Sequence, residues 1–496
     1  MWKFSKTKLN IFVSVLHQIV TAVCGMLTAR IILSAFGSEN HGLMQSIGQI
    51  LGYAALLEGG IGGVMRAALY KPLANRDPVQ LTEIFESGKR FFRRISLIFI
   101  LFVVVLGAGM KLAITTEFDW LYVFSMVLIL GSGSYFGNYS AVAHRILLMA
   151  DQKLYVIQLF QIFSTGINLL LCLCAVHLGA GIHTVKSLAA ATGLMGTVFY
   201  CSYVRTHYSF VPIRRTKAYG IPQRRDGVIH YLAYFVHRNT DVVILSLFSS
   251  LNNVSIYAVY HMVISVLEQL LGSVSSGIAS RIGSLWARKE LDRLNETISI
   301  YELFNMALTF AIGVVCCILI LPFVSIYTAG VVGTDYRQPL FAVLLICGSM
   351  ASCLKMPYHI AITAAGHYRE TRLGALGEVT LNLLISLILV RPLGLIGVAA
   401  GTLAAMLFRL FYSVWYLSGA ILGRPITKFL KCILPNLVLA AVFLMGHSTI
   451  GTMEAANIGV LFLSAIKVSL SVFPSFIALN LLLQPRLFRN LIKFSK

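Results

Sequence analysis

Five basic side chains fall inside long apolar runs of this sequence: Arg30, Arg66, Arg238, Lys355 and Arg409. Among the acids, Glu58, Asp241 and Glu268 do the same. An ionisable group near the centre of a bilayer costs about 2.5–3.5 kcal/mol on insertion scales, so it normally faces a partner or a watered cavity. Helical rise sets the depths: Arg238 lies about 15 Å from one face, and Glu58 and Glu268 lie about 22 Å deep. Lys355 and Arg409 are similarly central, whereas Arg30 and Arg66 lie nearer opposite boundaries, where long side chains snorkel.

Two chemistries are open to these groups. Arg238 and Asp241 are three apart on one helical face, with His237 four from Asp241, so the cluster can neutralise itself. Alternatively, Arg238 offers its planar fork to a phosphate while Asp241 orients it. Glu58 and Glu268 either pair with bases on neighbouring helices or act as coupling or cavity acids. Lys355 and Arg409 either pair with acids or line the same cavity. Together the charges point to a charged cleft between helices.

The elements that hold these groups follow from composition. At 57% hydrophobic, 12% charged and mean hydropathy +0.81 the chain must be solvated largely by lipid; a soluble chain has about 25% charged residues. Helix is the expected state of every long apolar run. The runs lie near 10–35, 42–68, 95–114, 121–146, 154–178 and 185–204, then 228–249, 254–279, 301–322, 339–363, 373–391, 395–418, 432–447 and 461–483. With these about 14 transmembrane helices, thirty of the forty Lys and Arg fall on the side of the N-terminus, five on the other side and five within spans. The positive-inside rule then puts both termini in the cytoplasm of a multi-pass inner (cytoplasmic) membrane protein. The net charge of +21 is thereby a topology signal, and no nucleic-acid partner is expected.

The expected fold is an all-α integral membrane protein in two lobes of six and eight helices. Residues 1–204 form an N-terminal lobe, 205–227 a basic cytoplasmic linker broken by Pro212, Gly220 and Pro222, 228–418 a C-terminal lobe, and 419–496 the last two spans and a tail. LSAF at Leu33–Phe36 recurs as LSLF at Leu245–Phe248, which fits a parallel pseudo-repeat. The stretches Pro78–Arg94 and Ser284–Leu303 are amphipathic and are expected to lie along the membrane surface. The nine cysteines show no CxxC pairing and read as buried thiols. With no P-loop, HExxH, GxSxG or spaced Cys/His set, neither a cofactor nor a metal site nor an enzyme is expected.

Particular segments carry a resemblance. Leu56-Leu57-Glu58-Gly59-Gly60-Ile61 through Arg66, Asn239-Thr240-Asp241-Val242-Val243-Ile244-Leu245, and Pro392-Leu393-Gly394-Leu395-Ile396-Gly397-Val398-Ala399, with the six-plus-eight division, resemble the bacterial polysaccharide flippases. These are the O-antigen and capsule repeat-unit exporters of the multidrug/oligosaccharidyl-lipid/polysaccharide (MOP) superfamily. Many members carry Asp where this chain has Glu58. The resemblance implies flipping of an undecaprenyl-diphosphate-linked oligosaccharide from the cytoplasmic to the outer leaflet by alternating access, driven by an ion gradient or the membrane potential. It implies as partners the lipid-linked substrate, the bilayer, and polysaccharide polymerase and chain-length machinery. Arg30, Arg66 and Arg238 are then the first candidates for the diphosphate or cavity lining, with Lys355 and Arg409 second. The alternatives are a lipid II flippase or a drug antiporter of the same superfamily, and, from another class, a membrane glycan polymerase or acyltransferase.

Overall fold

The computed structural model describes residues 6–54, 61–114, 116–212, 240–367, 370–450 and 457–483. Among the described residues there is no strand, and eleven helices are long and apolar enough to cross a membrane. The chain is an all-α, multi-pass membrane protein. Helices close their backbone hydrogen bonds within each segment, which hydrocarbon demands. The chain divides into two compact units, residues 1–255 and 256–496.

Unit 1 holds α1 (Lys6–Gly52), α2 (Ile61–Asn75), α3 (Pro78–Ala113), α4 (Trp120–Ser134), α5 (Val142–Ala150), α6 (Leu154–His177), α7 (Ile182–His207) and α8 (residues 240–248). α1 covers the first expected span and the start of the second, and breaks at Gly37 (φ 81°, ψ 174°). That conformation is open to glycine and strained for side-chain residues, so the sequence places the bend of α1 there. α1 packs on α6, α7 on α4 and α6, and α2 on α3 and α5. Leu43, Ile47, Leu69, Phe99, Met126 and Leu147 fill the core between them. Leu97, Leu101 and Val105 of α3 point outward, each more than half exposed, as lipid-facing residues must.

Unit 2 contains most of α9 (Leu251–Ala287), then α10 (Leu291–Tyr327), α11 (Pro339–Ala364), α12 (Arg372–Leu393), α13 (Leu395–Tyr416), α14 (Thr427–Ile450) and α15 (Ile458–Leu483). α13 packs on α11 and α12, while α10 packs on α11, α14 and α15. Most of the expected span 228–249, and residues 213–227 of the expected linker, lie outside the described residues.

The two amphipathic stretches depart from expectation. Asp77 caps α3 by accepting from the Val79 and Gln80 amides (3.0 and 3.1 Å), and the helix then runs unbroken from Pro78 to Ala113. Ser284–Leu303 is divided between the end of α9 and the start of α10, which continues to Tyr327. Both are extensions of spanning helices rather than separate surface helices. Nothing at Arg94–Ile95 or Leu303–Phe304 breaks a helix, and Phe85, Phe92, Leu294 and Ile298 are buried in the protein core.

Candidate functional site

In unit 2, α11, α12 and α13 bring one acid between two bases. Glu378 Oε1 lies 3.4 Å from Lys355 Nζ, and Glu378 Oε2 lies 3.2 Å from Arg409 Nε. Arg409 also donates from Nη1 to the Thr371 carbonyl (3.4 Å) and rests against the Tyr412 ring. Gly374 leaves room for that arrangement, since a Cβ there would stand 2.5 Å from Arg409 Nη1 and 2.3 Å from Tyr412. Arg409 and Glu378 are buried, and Lys355 is half-buried. An apolar interior strengthens their attraction and makes loss of any one costly.

The acid of this row, Glu378, escaped the sequence reading, which weighed its two bases. Scanning each expected span for both signs of charge would have found it, since it is the one acid of the run 373–391. Glu268, the other acid expected in unit 2, accepts from Ser349 Oγ (2.8 Å) on α11.

A second buried pair was also missed. Arg424, at the α13–α14 connection, pairs through Nη2 with Glu302 of α10 and reaches Ser299 Oγ (3.3 Å) and Asn295 Oδ1 (3.4 Å). Lys428 donates to the same Ser299 hydroxyl (2.6 Å). Arg424 and Lys428 counted as loop charges in the sequence, and Glu302 fell in the stretch read as a surface helix. The contacts fasten α14 to α10.

Unit 1 is different. Arg30 is half-buried and Arg66 exposed, and among the described residues neither makes a hydrogen bond or an ion pair. Asp241 is 6% exposed in α8, close to Tyr53 just past the end of α1, whose hydroxyl is hydrogen-bonded to Thr240. α8 and the first turn of α9 lie along the second half of α1. Ser246 Oγ donates to Ser46 Oγ (2.6 Å), His41 Nδ1 meets Ser255 Oγ (2.7 Å), and His41 Nε2 lies 3.4 Å from Gln45 Nε2. Arg238 and Glu58 lie outside the described residues.

Thus Lys355 and Arg409 meet through one shared acid, while Glu268 takes a separate partner. Lys355 and Arg409 in unit 2 are held by a carboxylate; among the described residues Arg30 and Arg66 in unit 1 are not. Chemically, a row of this kind can hold charge or exchange one counter-ion for another, whereas unpaired guanidinium groups can accept an external anion in bidentate fashion.

No family model matches the chain, and no curated protein sequence does. Solved structures are similar in fold. A structure of the lipid II flippase MurJ in an inward closed conformation superposes with a TM-score of 0.71 at 16% identity, over 96% of this chain and 100% of that one. An inward-facing multidrug resistance MATE family transporter of the MOP superfamily gives 0.61 at 14% identity, over 80% of this chain and 95% of that one. The MATE multidrug transporter DinF-BH gives 0.58 at 17%, over 83% and 95%. The chain has the fold of these MOP transporters.

Proposed function

We propose that the chain is a flippase that moves an undecaprenyl-diphosphate-linked oligosaccharide from the cytoplasmic to the outer leaflet of the inner membrane by alternating access, not an enzyme. The substrate has a hydrated glycan that cannot cross hydrocarbon, an anionic diphosphate and an isoprenoid tail that can remain in lipid. A carrier for it needs a polar path lined by available cations. The contrast between the units carries this reading: Arg409 and Lys355 are engaged by Glu378, whereas Arg30 and Arg66 have no partner among the described residues. Arg30, Arg66 and Arg238 are accordingly assigned to the diphosphate, with Asp241 and Glu58 as cavity acids. Lys355, Arg409 and Glu268 are held in unit 2 for energy coupling.

About fourteen crossings, both termini in the cytoplasm and a polymerase as neighbour in the membrane belong to the same proposal. Lipid II is the second reading, favoured by the 96% of the chain that the lipid II flippase structure covers against 80% and 83% for the two drug transporters.

The test is flipping of fluorescent undecaprenyl-diphosphate oligosaccharides in proteoliposomes, with lipid II offered in parallel. Arg30→Ala combined with Arg66→Ala should abolish flipping while leaving the protein folded and inserted. Full activity in that double variant would remove both residues from the path. Transport of lipid II alone would decide for the second reading.

A further inference from the structure

Lys186 lies one turn into α7, on the face that also carries buried Ile182 and Ala190, so its side chain is turned to the interior of unit 1 and away from lipid. It makes no hydrogen bond or ion pair among the described residues. The groups within its electrostatic reach are the Cys172 thiol of α6 and the His41 imidazole of α1. Neither is a negative charge at neutral pH. An ammonium taken from water without a counter-charge is costly, and the cost is tolerated where a ligand or a wet cavity meets it.

The surroundings are polar on several elements. His41 is 3% exposed and held by Ser255, with Gln45 beside its other nitrogen. Next to it in sequence, Asn40 accepts from the Tyr122 hydroxyl (2.6 Å), and the Tyr122 ring meets the edge of His183, whose Nε2 lies 2.9 Å from Ser125 Oγ. Glu39, the acid of this end of α1, is turned to the α3–α4 loop, where it accepts from Thr116 Oγ1 (2.8 Å) and the Glu117 amide (3.4 Å). Glu39 therefore forms no ion pair with Lys186.

We propose that Lys186 is an anion-binding site at the Gly37 end of unit 1, taking a phosphate or carboxylate of the transported molecule. Only the identity of the ligand rests on the flippase reading. In the orientation of that reading this end is extracytoplasmic. The site then receives the diphosphate, or an acidic sugar of the glycan, after the head group has crossed and before release.

Binding is tested on the full chain in nanodiscs with three probes: inorganic pyrophosphate, a trisaccharide of hexuronic acid, and a neutral trisaccharide of the same size. One or both anions should bind and protect Lys186 from an amine-modifying reagent, as read by peptide mass spectrometry. Lys186→Met should weaken that anion by about tenfold, the weight of one charge-assisted contact, and Lys186→Arg should restore most of it. Pyrophosphate alone as the protecting probe assigns the site to the carrier diphosphate; the uronic trisaccharide alone assigns it to the glycan. The proposal is overturned if neither anion protects Lys186 in the unmodified protein, if folded Lys186→Met binds both unchanged, or if the neutral trisaccharide protects equally. Flipping is scored separately on the same samples. Anion binding without flipping leaves the site and removes the flippase reading, and flipping with no anion at Lys186 does the reverse.

Discussion

Glu378 is one carboxylate serving two cations, and that ratio has consequences for stability. Glu378→Gln leaves Arg409 and Lys355 both without a counter-charge, and loss of one member of a buried ion pair costs about 3–5 kcal/mol. The two bases will not contribute equally, because Arg409 is 7% exposed while Lys355 is only half-buried and its longer, flexible stem can turn toward water. Adding Arg409→Met to Glu378→Gln should therefore recover more of the lost stability than adding Lys355→Met. Denaturant or thermal unfolding of the purified variants in detergent measures the order. An equal rescue by both substitutions would show that the cations are similarly hydrated, contrary to their burial. The same logic applies to Glu302, where removal of its carboxylate leaves buried Arg424 facing Ser299 and Asn295 alone.

At the scale of elements, the contact of α8 and the start of α9 with the second half of α1 depends on closeness of backbones. A Cβ on Gly42 would stand 1.8 Å from the Leu251 carbonyl oxygen, so Gly42→Ala must push the two segments apart. With Ser46 Oγ and Ser246 Oγ 2.6 Å apart, cysteines at 46 and 246 in a background stripped of the nine native thiols should cross-link readily. Gly42→Ala should lower that yield severalfold, read on non-reducing gels; an unchanged yield would mean that the segments adapt without separating.

Helices of this kind were legible in the sequence because lipid makes hydropathy the strongest constraint on the chain. The break at Gly37 falls in the gap between the runs 10–35 and 42–68, where hydropathy already ends one helix and begins the next; what hydropathy does not show is that the two helices join with hardly any loop. The unbroken α3 and α10 were not legible either. Amphipathic ends look alike whether their apolar face meets lipid head groups or the protein's own core, and Phe85 and Ile298 chose the core. Site bases such as Lys355 and Arg409 stood out as charges in apolar runs. Their partner Glu378 is equally a charge in an apolar run and was passed over; only its pairing with both bases across three helices is a property of packing that leaves no spacing signal along the chain.

For the whole molecule, the distribution of charge bears on the direction of transport. In the proposed topology thirty of forty basic residues lie on the cytoplasmic side, and in that orientation a negative interior acts on the cargo. An anion leaving a negative compartment gains about 2.3 kcal/mol per charge per 100 mV, about fiftyfold in the equilibrium ratio. What moves is the sum of the diphosphate and any cation that travels with it. If Arg30, Arg66 and Lys186 stay fixed while the anion passes between them, the full charge of the cargo crosses the field and export should be strongly voltage-dependent. In proteoliposomes of uniform orientation, a potassium diffusion potential negative on the cytoplasmic face should raise the outward rate severalfold per 100 mV, and reversing its sign should depress it. Equal rates at both signs would mean that the moving assembly is electrically neutral. Energy would then have to enter through ion exchange, and the row Lys355, Glu378 and Arg409 in unit 2, whose carboxylate is one proton away from releasing both bases, is the place where the described structure could take it up.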